Sequence, residues 1–140
     1  MADEVTVNIR LESAIVYARQ KGRELAAELG FSQSELTIIA TAISELARNI
    51  VDYAGNGQII MQLIEKDGQK GIMIKAQDNG PGIPDIELAM QDGYSTGNSL
   101  GLGLPGTKRL MDEFEIDSKV GQGTTVTVIK WKRNDINFKI

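Results

Sequence analysis

The chain has 140 residues, 41% of them hydrophobic and 24% charged, with 15 Lys and Arg against 19 Asp and Glu, a net charge of −4. These values predict one globular domain spanning 1–140 with a core of its own. A negative net charge has the wrong sign for a protein that binds by neutralising nucleic-acid phosphates, and no apolar run is long enough to span a bilayer. We therefore expect neither a nucleic acid nor a membrane as partner.

Two residue types are missing from the chain. It has no Cys and no His, which excludes disulfides, thiolate nucleophiles and imidazole bases. Any general base must then be a carboxylate or a Lys. The first eight residues, M-A-D-E-V-T-V-N, lack the basic and apolar regions of a signal peptide, so a cytoplasmic location is expected.

The first third of the chain predicts a strand followed by two helices. Apolar and polar residues alternate over 5–9, and the spacing becomes helical from Ser13 until Gly30. The sequence S-Q-S-E at Ser32–Glu35 fits a capping box, in which a Ser and a Glu side chain each bond a backbone N–H at a helix start. A long second helix is therefore expected to begin there and to end at Gly55.

The middle of the chain predicts a hairpin and two loops. Strands over Gln58–Glu65 and Gly71–Ala76 flank the turn signal K-D-G-Q at Lys66–Gln69. A loop rich in Gly and Pro follows at Asp78–Pro84, and a Gly- and Ser-rich stretch covers Asp92–Gly103.

The last third predicts a helix, two strands and a tail. Helical spacing over Leu104–Phe114 is followed by strands at Glu115–Val120 and Thr125–Trp131, which flank a G-Q-G turn. The polar segment Lys132–Ile140 has little pattern, so we expect it to be frayed or to contact a partner.

The long helix carries the first group of chemical interest, E-x-x-x-N. Glu45 and Asn49 are four residues apart, so a carboxylate and an amide oxygen stand one turn apart on one helix face. This arrangement suits a base beside a metal ligand. The alternative is a solvated flank on which Glu45 pairs with Arg48, and for this motif alone the alternative is favoured.

The loop D-N-G-P-G-I-P holds Asp78 at the end of a predicted strand. A carboxylate there could accept a hydrogen bond from an exocyclic amine, which would select adenine over guanine, because guanine carries an oxygen at that position. The alternative, a tight turn without further function, explains the glycines and prolines but leaves Asp78 unexplained.

Two further glycine-rich segments follow. The sequence G-L-G-L-P-G at Gly101–Gly106 opens a helix, where free N–H groups and the positive end of the dipole favour phosphate. Its spacing is neither the Walker nor the Rossmann pattern, and such helix starts are common. The sequence G-Q-G-T at Gly121–Thr124 presents a hydroxyl that could lie near Asp78, although by itself it is an ordinary hairpin turn.

In this order the four segments resemble the motifs of the GHKL ATPase superfamily, which includes gyrase B, Hsp90 chaperones, histidine kinases and MutL. The resemblance covers nearly the whole chain. It implies the Bergerat fold, an α+β two-layer α/β sandwich with a mixed, mostly antiparallel sheet and helices on one face. The stretches S-E-L-A-R-N, D-N-G-P-G-I-P and G-L-G-L-P-G-T-K-R-L-M-D-E-F are especially similar to bacterial anti-sigma-factor serine kinases of the stressosome switch type.

The resemblance also implies roles for individual residues. Glu45 matches the general base, and Asn49 matches the ligand of a Mg²⁺ ion that bridges the phosphates of ATP. Adenine would be bound by Asp78 with help from Thr124, while the base pocket and the phosphate loop would be formed by Gly80, Gly82, Ile83, Gly101, Leu102 and Gly103. The stretch 93–100 falls where the ATP lid lies, and we expect ATP to order it. Ser95 and Thr96 within it are not assigned a role.

Three functions remain open on the sequence. The resemblance implies a serine/threonine protein kinase that phosphorylates a STAS-domain protein of a stressosome scaffold and then binds a second effector, such as a phosphatase. An ATPase that drives a conformational cycle and a docking module that holds ATP without catalysis are the alternatives. A histidine kinase fits poorly because the chain has no His. Either a monomer or a homodimer is compatible with the resemblance.

Overall fold

The structure is a computed structural model that describes residues 4–91 and 103–133. Five strands and four helices lie in these ranges. The strands are β1 (Val5–Ile9), β2 (Gly57–Lys66), β3 (Gln69–Asp78), β4 (Glu113–Lys119) and β5 (Gly123–Trp131), and the helices are α1 (Glu12–Ala27), α2 (Gln33–Tyr53), α3 (Ile86–Ala89) and α4 (Gly103–Leu110). None of these helices is long and apolar enough to cross a bilayer.

The strands form one open sheet in the order β1-β2-β3-β5-β4, and each described pairing is antiparallel. Alternate residues are buried along each central strand, because one face of the sheet packs against the helices. That face contributes Ile59, Met61, Ile72, Ile74, Ala76, Val126 and Val128 to the core. The predicted α+β sandwich with helices on one face is confirmed, but the prediction of a mixed sheet is wrong for the described strands, because none of their pairings is parallel.

Helix α2 begins as the sequence predicts. The Glu35 N–H donates to Ser32 Oγ at 3.2 Å, and the Ser32 N–H donates to Glu35 Oε1 at 2.9 Å, which completes the capping box. The helix ends just before Gly55, which has a φ of +85°. Glycine adopts this left-handed conformation without a steric penalty because it has no Cβ.

The apolar stripe of α2 anchors the helix to the sheet. Ile39, Ile43, Leu46 and Ile50 are at most 2% exposed. Burying one such side chain stabilises the fold by about 1.5–3 kcal/mol. Helix α1 crosses this stripe closely, since a Cβ on Gly22 would collide with Ile43 Cδ1. The polar edge of α2 therefore has a fixed position relative to the sheet.

The last predicted helix is shorter than expected. The prediction of a helix over Leu104–Phe114 is wrong at its end, because α4 stops at Leu110 and Phe114 lies in β4. The Asp112 N–H donates to the carbonyl of Ile129 at 2.9 Å, and its carboxylate accepts from the Trp131 N–H at 2.7 Å. These bonds to β5 replace the next helical turn.

The start of the polar tail remains attached to the sheet. The Lys132 N–H donates to the Lys70 carbonyl at 2.8 Å, and Arg133 lies 3.5 Å from the carboxylate of Asp112. Fraying from Lys132 onward is therefore wrong for these first two residues. The remainder of the predicted tail, 134–140, lies outside the described residues, as do 92–102 with the predicted lid.

Candidate functional site

The polar edge of α2 faces the start of α4. Glu45 and Asn49 are both partly buried, and Glu45 Oε1 accepts a hydrogen bond from the Gly103 N–H at 3.3 Å. Arg48, one position before Asn49, pairs with Glu12 of α1 at 3.3 Å. The alternative in which Glu45 pairs with Arg48 on a solvated flank is therefore wrong, and Glu45 contacts the glycine-rich segment.

Helix α4 begins at Gly103 with a φ of +68°, a left-handed conformation that favours glycine. Thr107 is fully buried, and its hydroxyl donates to the Gly103 carbonyl at 2.9 Å, which holds the first turn of the helix. The predicted phosphate-facing residues Gly101 and Leu102 lie outside the described residues. Of that trio, the structure places Gly103 beside Glu45.

Asp78 is the last residue of β3, two residues beyond the predicted end of the strand. Its Oδ1 accepts from the Gly80 N–H at 2.8 Å, which fixes the carboxylate at the start of the loop. Asp78 pairs directly with Thr124 of β5. Side chains directly opposite each other in an antiparallel pair point to the same face, so both face the layer of helices.

The loop after Asp78 lies against the turn before Thr124 through backbone contacts. Gly82 has a φ of +79°, and a Cβ on it would collide with the carbonyl of Lys119. Gly123 has a φ of +120°, and a Cβ on it would collide with the carbonyl of Asp78. The Gly121 N–H donates to the Pro81 carbonyl at 2.8 Å. Glycine is required at 82 and 123 for both conformation and space.

The loop also rests on the end of α2. A Cβ on Gly80 would stand 2.7 Å from the Cβ of Ala54, the residue that caps α2. Between Glu45 and Ala54 the helix rises by about 13 Å. One helix therefore connects the contact with Gly103 to the contact with the loop, and an extended ligand can lie along it.

Ser118 of β4 belongs to the site and was missed by the sequence analysis. Its Oγ accepts from the Ile83 N–H at 2.8 Å and lies 2.7 Å from the hydroxyl of Thr124. A Ser in a strand of alternating polarity carries no signal of its own. The register that joins Ser118 to Thr124 would have revealed it.

The site thus has two parts. We call Glu45, Asn49 and Gly103 the helix half. We call the set that surrounds the end of β3 the loop half, which consists of Asp78, Gly80, Gly82, Ile83, Ser118 and Thr124.

The residues present fit a magnesium nucleotide. Mg²⁺ takes oxygen ligands and is commonly held by one or two protein groups together with waters and substrate phosphates. The side chain of Asn49 makes no hydrogen bond to the described part of the chain, so its amide oxygen is available as such a ligand. Within the described ranges there is no group of three or more acidic side chains that could hold a metal by themselves.

Comparison with known proteins agrees with this geometry. Residues 35–134 match the family model described as histidine kinase-, DNA gyrase B- and HSP90-like ATPase. The chain belongs to this family of ATP-binding domains.

Among curated proteins, the chain is 55% identical to the serine/threonine-protein kinase RsbT of Bacillus subtilis over 133 residues, covering 95% of this chain and 100% of RsbT. It is 34% identical to the anti-sigma F factor of Geobacillus kaustophilus over 121 residues, covering 81% of this chain and 82% of that factor. The predicted resemblance and the predicted enzyme class, a protein-serine/threonine kinase, are confirmed by these relatives.

Solved structures confirm the fold. A Mycobacterium tuberculosis protein with RsbU and RsbW domains superposes with a TM-score of 0.66 at 22% identity, over 95% of this chain and 34% of that one. The mycobacterial sensor histidine kinase MprB superposes with a TM-score of 0.55 at 16% identity, over 95% of this chain and 99% of that one. The chain spans about a third of the first of these proteins.

Proposed function

We propose that this kinase transfers the γ-phosphoryl group of ATP to a serine or threonine of a STAS-domain protein, and that the transfer releases it to a second partner such as a phosphatase. The similarity to RsbT and to anti-sigma F factors supports this proposal. The observation that carries it is the contact of Glu45 with the Gly103 N–H, because it brings a partly buried carboxylate of α2 to the start of the glycine-rich helix.

Binding of ATP is assigned to both halves of the site. In the loop half, Asp78 and Thr124 would contact adenine, and Gly80, Gly82 and Ile83 would shape the pocket around it. In the helix half, the Gly103 N–H, which bonds Glu45 in this structure, would turn to the phosphates when ATP binds, together with the N–H groups of Gly101 and Leu102 before it, since the start of a helix attracts anions.

Asn49 would hold Mg²⁺ through its amide oxygen. Bound there, the ion would neutralise charge on the triphosphate. Placing a neutral ligand one helical turn from Glu45 leaves the glutamate free for proton transfer, which a glutamate bound to the metal could not perform.

Glu45 would act as the general base. Its carboxylate would accept the proton of the substrate hydroxyl as the oxygen of that hydroxyl bonds to the γ-phosphorus and the bond to the β–γ bridging oxygen breaks. ADP leaves with the bridging oxygen, and the phosphate ester stays on the partner. The fixed position of α2 on the sheet supplies the orientation that this transfer needs.

The same groups could instead activate water, which would make the chain an ATPase. A docked partner decides between these outcomes, because its hydroxyl takes the place of the water and excludes solvent from Glu45. A module that merely holds ATP would need no carboxylate at the start of α4.

The experiment that tests the proposal combines the chain with ATP radiolabelled on its γ-phosphate, Mg²⁺ and a STAS-domain protein encoded beside it. A matched reaction uses the same partner with Ala at the candidate acceptor serine or threonine. We expect label on the unaltered partner and none on the Ala variant.

Two results would contradict the proposal. Steady phosphate release without transfer to the partner would identify an ATPase. ATP binding with neither activity would identify a docking module. Pull-down of the effector before and after phosphorylation tests the exchange of partners separately, and we expect more effector bound after it.

A further inference from the structure

Ser118 contacts three groups of the loop half at once. Its Oγ lies 2.8 Å from the Ile83 nitrogen, 3.2 Å from the Gly123 carbonyl oxygen and 2.7 Å from Thr124 Oγ1. Its side chain therefore joins the loop after β3 to the start of β5. In the bond between Ser118 and Thr124, either hydroxyl could be the donor.

The number of hydrogen bonds that Ser118 can make decides the direction of its bond with Thr124. A serine hydroxyl has one proton to donate and two positions at which it can accept. The Ile83 N–H fills one accepting position, and the Gly123 carbonyl can act only as an acceptor. All three contacts are hydrogen bonds at the same time only when Ser118 donates to Gly123 and accepts from Thr124. If Ser118 donated to Thr124 instead, no proton would lie between Ser118 and the Gly123 carbonyl, and that contact would not be a hydrogen bond.

In this arrangement the proton of Thr124 points at Ser118, so the lone pairs of Thr124 Oγ1 are left to accept. Asp78 faces Thr124 across the β3–β5 pairing, and an ionised carboxylate only accepts. One of its oxygens already accepts from the Gly80 N–H. The second oxygen of Asp78 and the hydroxyl oxygen of Thr124 then form a pair of acceptors on the same face.

We propose that Ser118 is a positioning residue that holds Thr124 as a hydrogen-bond acceptor, and thereby makes the pocket prefer the 6-amine of adenine to the 6-oxo group of guanine. The amine has two N–H groups and can satisfy two acceptors, whereas the oxo group has none to donate. A bound base would exclude water from this polar pair, and a base that supplies no donor to it is penalised strongly. The inference rests on the proposed assignment of Asp78 and Thr124 to the nucleobase.

The test measures dissociation constants of Mg-ATP and Mg-GTP by displacement of a fluorescent nucleotide. In Ser118→Ala, the Thr124 hydroxyl is free to rotate and to donate to a guanine oxygen. We expect the preference for ATP over GTP to fall about tenfold, the effect of one hydrogen bond. Ser118→Thr keeps the hydroxyl and should retain the preference of the unaltered chain.

A second substitution shows whether Ser118 acts through Thr124. Thr124→Val removes the acceptor and should itself lower the preference for ATP. Adding Ser118→Ala to Thr124→Val should then leave the preference unchanged, since the hydroxyl to be oriented is gone. Thermal unfolding of each variant identifies those that fold. If Ser118→Ala does not fold, the nucleotide preference of Thr124→Val alone still tests the inference.

The outcomes separate this inference from the proposed function. An equal loss of affinity for ATP and for GTP in Ser118→Ala would show that Ser118 only anchors the loop, and would overturn the inference. A preference that Thr124→Val leaves unchanged would overturn it as well. If Asp78→Asn leaves ATP affinity unchanged, the assignment of the pocket itself fails. If Asp78→Asn weakens ATP while Ser118→Ala leaves the preference intact, the inference alone fails.

Discussion

The helix half and the loop half of the site are built in different ways. Glu45 and Asn49 stand on one continuous helix, and their spacing follows from a single turn of α2. Asp78 and Thr124 come from strands that are distant in sequence and are joined by the β3–β5 register and by backbone contacts between two glycine-containing segments. Local geometry positions the first half, and packing of the whole sheet positions the second.

This difference predicts a division of labour that substitutions can test. A change of Glu45 in the helix half should affect the transfer step while leaving nucleotide binding intact. Changes in the loop half should affect nucleotide binding or the fold. The comparison fails if both halves respond alike.

The largest expected effect belongs to Glu45→Gln. Removing a general base lowers the rate by about 10²–10⁴-fold, whereas ground-state binding of ATP does not need that proton transfer. Single-turnover label transfer and calorimetric titration of ATP measure the two quantities separately. Glu24→Gln, at an exposed carboxylate on α1 outside both halves of the site, is the matched control and should leave both unchanged. Normal transfer by the Gln variant would show that Glu45 is not the base.

Asp78→Asn should act on binding. The amide oxygen can keep the bond from the Gly80 N–H, while its NH₂ group faces the adenine amine as a second donor. Losing a hydrogen bond to a charged acceptor should weaken the binding of ATP by about 10- to 100-fold. Titration of ATP into this variant and into Asp117→Asn, an exposed carboxylate on β4, provides the measurement and its control. Equal affinity in the two variants would remove Asp78 from the pocket.

A pair of glycines tests whether backbone contact builds the loop half. Gly82 and Gly121 have almost the same φ, +79° and +81°, but a Cβ on Gly82 meets the Lys119 carbonyl, whereas a Cβ on Gly121 has nothing within 4 Å. Gly121→Ala should cost about 1 kcal/mol of conformational strain. Gly82→Ala should cost a further ~1–3 kcal/mol and weaken ATP binding. Denaturant unfolding measures both, and equal losses of stability would contradict the contact.

The smallest effect is expected from Ser32→Ala at the start of α2. It removes the Oγ that accepts from the Glu35 N–H and should cost ~1 kcal/mol, or about 4 °C in Tm. ATP affinity at a temperature well below unfolding should not change, because Glu45 and Asn49 are more than three and more than four turns away along the helix, respectively. A loss of affinity without a loss of stability would show that the helix half depends on more than local geometry.

The same difference explains which features the sequence predicted. The capping box at Ser32 and the face shared by Glu45 and Asn49 depend on residues within one or two turns, so the pattern contained them. The contact of Ser118 with Ile83 spans 35 positions and depends on the pairing of β4 with β5. No local pattern contains that pairing.

The helix boundary at Leu110 shows the same limit. Leu104, Lys108 and Met111 continue a helical spacing that predicted a longer helix. Bonds from Asp112 to Ile129 and Trp131 pull the chain into the sheet instead. The four-residue helix α3 was also missed, because its first turn depends on one bond from the Leu88 N–H to the Asp85 carboxylate. The roles of the site residues stay predictions until the variants above are measured.

The order of the strands has a consequence for how the protein behaves in a crowded solution. Because β1 and β4 are the outer strands among the described residues, the N–H and C=O groups that they leave unpaired in this part of the chain could template pairing with further copies. β1 is only five residues long, and the open face of β4 carries Glu113, Glu115 and Asp117, which are all exposed. The acidic β4 strand of another copy would be repelled by these side chains. The β4 edge of the sheet is therefore protected against fibril-like aggregation by its own charge.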